Sequence, residues 1–160
     1  MDFLLLTDDD LESMRHAPKS IVNKGARWVT KGGHREKNYV LHDARDMTQV
    51  YRLFLRVSLT RASAFSVGLA RVWSPDATLV LVRYNGPYHG HRNVIERVKV
   101  PLGCHKHVAT ERYIRAGHDP DGYAESVYDY NSVEGAFDCL CRDCSVDLLD
   151  YNPFQSELEF

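Results

Sequence analysis

Three runs between residues 49 and 84 constrain the fold more than any other part of the chain. QVYRLFLRVS (49–58) alternates, with Tyr51, Leu53, Leu55 and Val57 on one face and Arg52, Phe54 and Arg56 on the other. Successive side chains of a strand point to opposite faces, so this is the pattern of a half-buried strand with an arginine-bearing outer face. Residues 64–73 continue the period, with Phe65, Val67, Leu69, Arg71 and Trp73 in phase. After the turn residues Ser74-Pro75-Asp76 comes TLVLVRY (78–84), almost wholly apolar, which suits a central strand covered on both faces. Strands this close in sequence, joined by tight turns, predict an antiparallel meander.

Helices are expected at both ends. Thr7 can cap a short helix over about 8–16, with Asp8, Asp9 and Asp10 at the positive end of its dipole and Pro18 against its continuing. Asn131-Ser132 offers a second cap, after which Val133, Phe137, Leu140, Cys141 and Cys144 recur at helical spacing. Cys141 and Cys144 fall on that apolar stripe and read as core thiols. Asn23 to Lys37 reads as a basic hairpin, with strands at Trp28-Val29 and Tyr39-Val40-Leu41 about the turn Gly32-Gly33. The last residues either fray or dock Phe154 and Phe160. The expectation is one α+β domain over 1–160: an antiparallel β-meander of about five or six strands, a C-terminal helix packed on one face and a short N-terminal helix. A basic sheet body would span about 23–115, and an acidic helix and tail about 116–160.

Charge divides the same way. Residues 15–115 hold 19 Lys and Arg against 6 Asp and Glu, whereas residues 116–160 hold 1 against 11. Clustered cations gain from counterion release on a polyanion, so either the body meets nucleic acid or the acidic segment folds back and neutralises it. The apolar run Phe3–Leu6 is too short for a signal peptide or membrane span, and cysteines at 104, 139, 141 and 144 are not the dispersed set of a secreted disulfide domain. A cytoplasmic protein with no membrane partner is expected.

The chemistry concentrates in RYNGPYHGHRNVIERVKVPLGCHKHVATE (83–111). It holds the pairs His89/His91 and His105/His107. If CHKHVATE is extended, His105, His107 and Glu111 share one face. Asn85-Gly86-Pro87 is turn chemistry, which puts His89 and His91 on a loop over the end of the preceding strand. Two His-x-His pairs suit a metal, with Cys104 nearby, but no third and fourth ligand is evident, so neither metal nor cofactor is assigned. Metal-free RNA cleavage by the 2′-hydroxyl needs a base, an acid and a cation for the charged phosphorane. His105 and His107, with Arg83 and Glu111, are the catalytic candidates. Tyr84, His89, His91, Arg92, Lys106 and Arg112 are the substrate-binding candidates, and Tyr88 or Tyr113 offers a stacking surface.

RYNGPYHGH followed by CHKHVATE and a C-terminal helix resembles the RY-D/N-x-x-P-H-H and H-K-H pattern of TumE-like toxins, small proteins encoded beside helix-turn-helix antitoxins. The resemblance covers about a third of the chain, roughly Leu79 to His107 plus the terminal helix. Here the proline precedes Tyr88 rather than a histidine, and the basic N-terminal hairpin has no counterpart. It implies an α+β protein acting on nucleic acid, a helix-turn-helix antitoxin as partner, and roles for Arg83, Tyr84, Asn85, His89, His105, Lys106 and His107. Two functions follow: a toxin-like, RNA-directed protein acting as a metal-independent ribonuclease, or a non-enzymatic nucleic-acid- or protein-binding module of a phage or mobile element.

Overall fold

The computed structural model describes residues 1–148 and 151–154. After a 3-10 turn at Phe3–Leu5, α1 runs Asp8–His16. Thr7 caps it reciprocally: the Thr7 side chain accepts from the Asp10 N–H, and the Asp10 carboxylate accepts from the Thr7 N–H. Pro18 then bars further helix. The strands that follow are β1 (Lys19–Ile21), β2 (Val29–Lys31), β3 (His34–Asp43), β4 (Val50–Ser58), β5 (Phe65–Ser74), β6 (Ala77–Asn85), β7 (His91–Asn93), β8 (Val98–Val100) and β9 (His105–Val108). The remaining elements are α2 (Glu111–Arg115), β10 (Tyr123–Ser126), α3 (Val133–Asp143) and β11 (Val146–Asp147).

The expected five- or six-stranded antiparallel meander with two helices is overturned. Among the described residues there are three helices and a nine-stranded sheet in the order β10-β9-β6-β5-β4-β3-β1-β11, with β2 also pairing β3, and a separate β7-β8 pair. The sheet is mixed, because β11 runs parallel to β1, Lys19 facing Val146. Strands of two and three residues are too short to carry a period, and a pairing between the two ends of the chain leaves no local signal. The Phe160 expectation lies outside the described residues. Phe154 does dock, with its ring 6.0 Å from Phe137 and 6.3 Å from Trp28.

One face of the sheet is the core. Leu53, Leu55, Val67 and Leu69 are fully buried there, as are Leu11 of α1 and Phe137 and Leu140 of α3. Burying each of these side chains contributes about 1.5–3 kcal/mol. Ser132 caps α3 by accepting from the Gly135 N–H. Lys19 is buried in this layer, and its Nζ donates to the carbonyls of Arg15 at 2.8 Å, Ala17 at 2.6 Å and Cys144 at 2.9 Å. It therefore joins the ends of α1 and α3 to the sheet and satisfies three carbonyls that those helix ends leave without partners. Of the acidic segment, α3 packs on this side against β4, β5 and β6, while Asp119 and Asp121 reach the other face. No helix of the described residues is long and apolar enough to cross a membrane.

A β-bulge decides what the other face presents. Between β5 and β6 the register shifts at Leu69/Ala70: Ala70 pairs Val80, Leu69 pairs Val82, and Leu81 has no β5 partner. Without that extra residue Arg83 would share the buried face of Leu79. With it, Arg83 turns outward and Tyr84 inward, as bulges beside sites commonly re-aim side chains.

Candidate functional site on the open face

The site is built across strands rather than along one. On β6 and β9, Asn85 faces His105 and Arg83 faces His107. On β9 and β10, His105 faces Ser126 and His107 faces Ala124. The β7-β8 pair folds over this end of the sheet, held by Asn93. The Asn93 amide donates to the Ala124 carbonyl at 2.8 Å and accepts from the Ala124 N–H at 2.9 Å, as a neighbouring strand would. His91, two residues earlier on the same face of β7, is thereby set over β9.

Three imidazoles meet there. Ring centroids stand 4.6 Å apart for His91 and His107, 5.1 Å for His105 and His107, and 6.2 Å for His91 and His105. Each ring has one nitrogen on a backbone carbonyl: His105 Nδ1 on Gly103 at 2.9 Å, His107 Nδ1 on Asp121 at 2.9 Å, His91 Nε2 on Gly122 at 2.8 Å. A carbonyl can only accept, so the neutral ring carries its proton on that nitrogen. The lone pair then resides on Nε2 of His105 and His107 and on Nδ1 of His91. Arg83 Nε lies 3.2 Å from Asp121 Oδ2, an ion pair in which the N–H is not aligned as a hydrogen bond. Together with Asn85, exposed His89 and Asp119, these groups line a cavity of about 300 Å³.

Burial sets the protonation state. Desolvation, then the neighbouring Arg83 charge, pushes His107 down from 6.5 to about 3. Desolvation also lowers His105, and the nearby His91, Arg83 and His89 act in the same direction. At neutral pH both rings are neutral acceptors rather than proton donors. Among the described residues no group of three or more His, Cys, Asp or Glu is placed to hold a metal ion.

Half of the ten residues singled out from the sequence converge: Arg83, His89, His91, His105 and His107. The others lie elsewhere, each for a local reason. Tyr84 and Lys106 alternate onto the core face, where Tyr84 Oη donates to Asp143 at 2.6 Å and Lys106 Nζ sits 5.1 Å from the Tyr84 ring. Glu111 does not share the histidine face, because β9 ends at Val108 and Thr110 caps α2 by accepting from the Tyr113 N–H. Its carboxylate instead accepts from the Asp8 N–H and pairs with Arg115. Arg112 pairs with Glu96 at 3.0 Å, and Arg92, next to His91 on β7, is exposed on the opposite side. Of the two stacking candidates, Tyr113 is buried with its Oη on Glu96, while Tyr88 is exposed under Arg61.

Sequence reasoning missed Asn93, Asp121 and Gly122. Asn93 carried a signal, since period 2 from His91 puts it on the same face. Asp121 and Gly122 read only as turn residues, and nothing local says that their carbonyls receive imidazoles.

Comparison with family models, curated proteins and solved structures finds no match to this chain.

Proposed function

We propose that the open face binds RNA and that the histidine cluster acts on a phosphodiester held at Arg83. The observation that carries this is the three-imidazole group with free lone pairs beside an arginine, in a cavity open to solvent. A neutral His105 can take the proton of an attacking 2′-hydroxyl through Nε2, whereas the fall of His107 to about 3 leaves it a weak base. Arg83 would hold the phosphate and oppose the charge that builds on the phosphorane. Neither buried ring is suited to protonate the leaving oxygen, so that role passes to exposed His89 at the cavity mouth. A toxin role and a helix-turn-helix antitoxin rest on the resemblance of the RYN and HKH segments alone.

The depressed protonation of His105 and His107 favours one second reading, a binding module that holds nucleic acid without cutting it. Labelled RNA incubated with the protein, with and without chelator, separates the two. Cleavage is expected to leave a 2′,3′-cyclic phosphate, to persist in chelator, and to fall about 100-fold or more in Arg83→Ala. Intact RNA that is nonetheless bound by the wild type would establish the binding module. RNA neither cut nor bound would overturn both.

A further inference from the structure

Beyond the histidines the same face holds a second compartment. The register continues the row of Arg83 across the sheet: His107 faces Arg83, Arg83 faces Gly68, and Gly68 faces Phe54. Phe54 is the one aromatic that β4 sends outward, flanked along its strand by exposed Arg52 and Arg56. Its ring lies over the Gly68 backbone, where a Cβ would stand only 2.1 Å from Cζ and 2.5 Å from Cε1. Any residue but glycine there would lift the ring off the sheet. The half-buried ring forms part of the wall of a cavity of about 500 Å³, with Arg52, Arg56, Asn38 and Ser66 around it, that meets the histidine compartment at Arg83 and Asp121.

The ring packs on the Gly68 backbone, with the Arg52 guanidinium carbon 5.9 Å from its centroid. It lies on the face away from the core, on the side that α3 does not cover. We propose that Phe54 is a base-stacking subsite, so that the substrate is single-stranded RNA laid across the strands. One unpaired base would rest on Phe54 with a phosphate beside Arg52, since Arg56 is paired with the Glu36 carboxylate at 3.5 Å, and the neighbouring phosphodiester would reach Arg83. Neighbouring strands are about 4.8 Å apart, so a ring leaning from β4 over β5 stands about one strand from Arg83 and about two from His107. A duplex cannot place a base on Phe54 without unpairing it. Aromatic stacking is tolerant of base identity, so the subsite selects strandedness more than sequence. This inference rests on the RNA reading of the histidine compartment.

The test is binding of fluorescein-labelled single-stranded RNA hexamers, each with one abasic position, to the full chain at fixed salt. Wild type should bind the unmodified hexamer better than the duplex of the same sequence, and one abasic position should cost about 10- to 100-fold in affinity. Phe54→Ala should lose a similar factor on the unmodified hexamer and become indifferent to the abasic position, whereas Phe54→Tyr should behave as wild type. Unchanged thermal unfolding of Phe54→Ala would separate this from loss of fold. If wild type binds the hexamer and Phe54→Ala binds it equally, the subsite is overturned and RNA binding stands. If wild type binds no RNA, the RNA reading fails and the subsite with it.

Discussion

Replacing His107 with glutamine should flatten the acid side of the stability profile. A neutral histidine pushed from 6.5 to about 3 by folding binds fewer protons than the same residue in the unfolded chain throughout that interval. Stability rises with pH wherever the unfolded state holds more protons, so this contribution is complete above pH 6.5 and is lost as pH falls towards 3. Each unit corresponds to about 1.36 kcal/mol, which gives about 2 kcal/mol between pH 7 and pH 5 and about 5 kcal/mol over the full interval. Buried His105 adds in the same direction. Glu36 and Asp43, the buried carboxylates with lowered values, lose their contribution only below the ordinary carboxylate range, so the window from pH 7 to 5 isolates imidazole. The glutamine amide can still donate to the Asp121 carbonyl, which keeps that acceptor satisfied. Urea unfolding at pH 7, 6 and 5 is the assay. Wild type should lose about 2 kcal/mol more than His107→Gln across that range, with the same m-value for both. Equal losses in the two proteins would refute both the burial of a neutral His107 and the conclusion that it cannot serve as a proton donor near neutrality.

Two further outcomes test the frame that carries the site. Lys19→Met should fill the volume but leave the Arg15, Ala17 and Cys144 carbonyls without a donor, costing about 2–4 kcal/mol in urea unfolding at pH 7. Gly122→Ala would place a Cβ 2.7 Å from the Tyr113 ring, so the turn must shift. On the ribonuclease proposal RNA cleavage should fall at least about 10-fold, while urea stability falls by about 1–3 kcal/mol.

Elements with strong local patterns were legible before any coordinates. The reciprocal cap at Thr7, the alternation of residues 50–58 and the helical stripe from Val133 are written within a few residues of where they act. The site was half legible, because residue chemistry announces histidine and arginine but not the face they take. Period 2 from Leu79 puts Arg83 inside, and only the unpaired Leu81 reverses it. The same period carried on from His107 puts Glu111 in the cluster, and only the cap at Thr110 removes it. In both cases a single residue of backbone irregularity outweighs an otherwise sound pattern, and such irregularities are fixed by tertiary contacts.

What brings the cluster together is the turn at 119–122 more than the strands that bear the rings. The Gly122 N–H donates to the Asp119 carbonyl at 2.9 Å and closes the turn. From it the Asp121 carbonyl receives His107, the Gly122 carbonyl receives His91, and the Asp121 carboxylate faces Arg83. Three side chains from three different strands thus converge on two consecutive residues. Tyr113 of α2 lies so close behind Gly122 that only glycine leaves room for the turn. Burying His105 and His107 beside an arginine disfavours their protonation, and a backbone acceptor meets the one N–H of each neutral ring. The same contacts fix which nitrogen keeps its lone pair. The chemistry of the open face therefore depends on the Asp119–Gly122 turn as well as on the histidines.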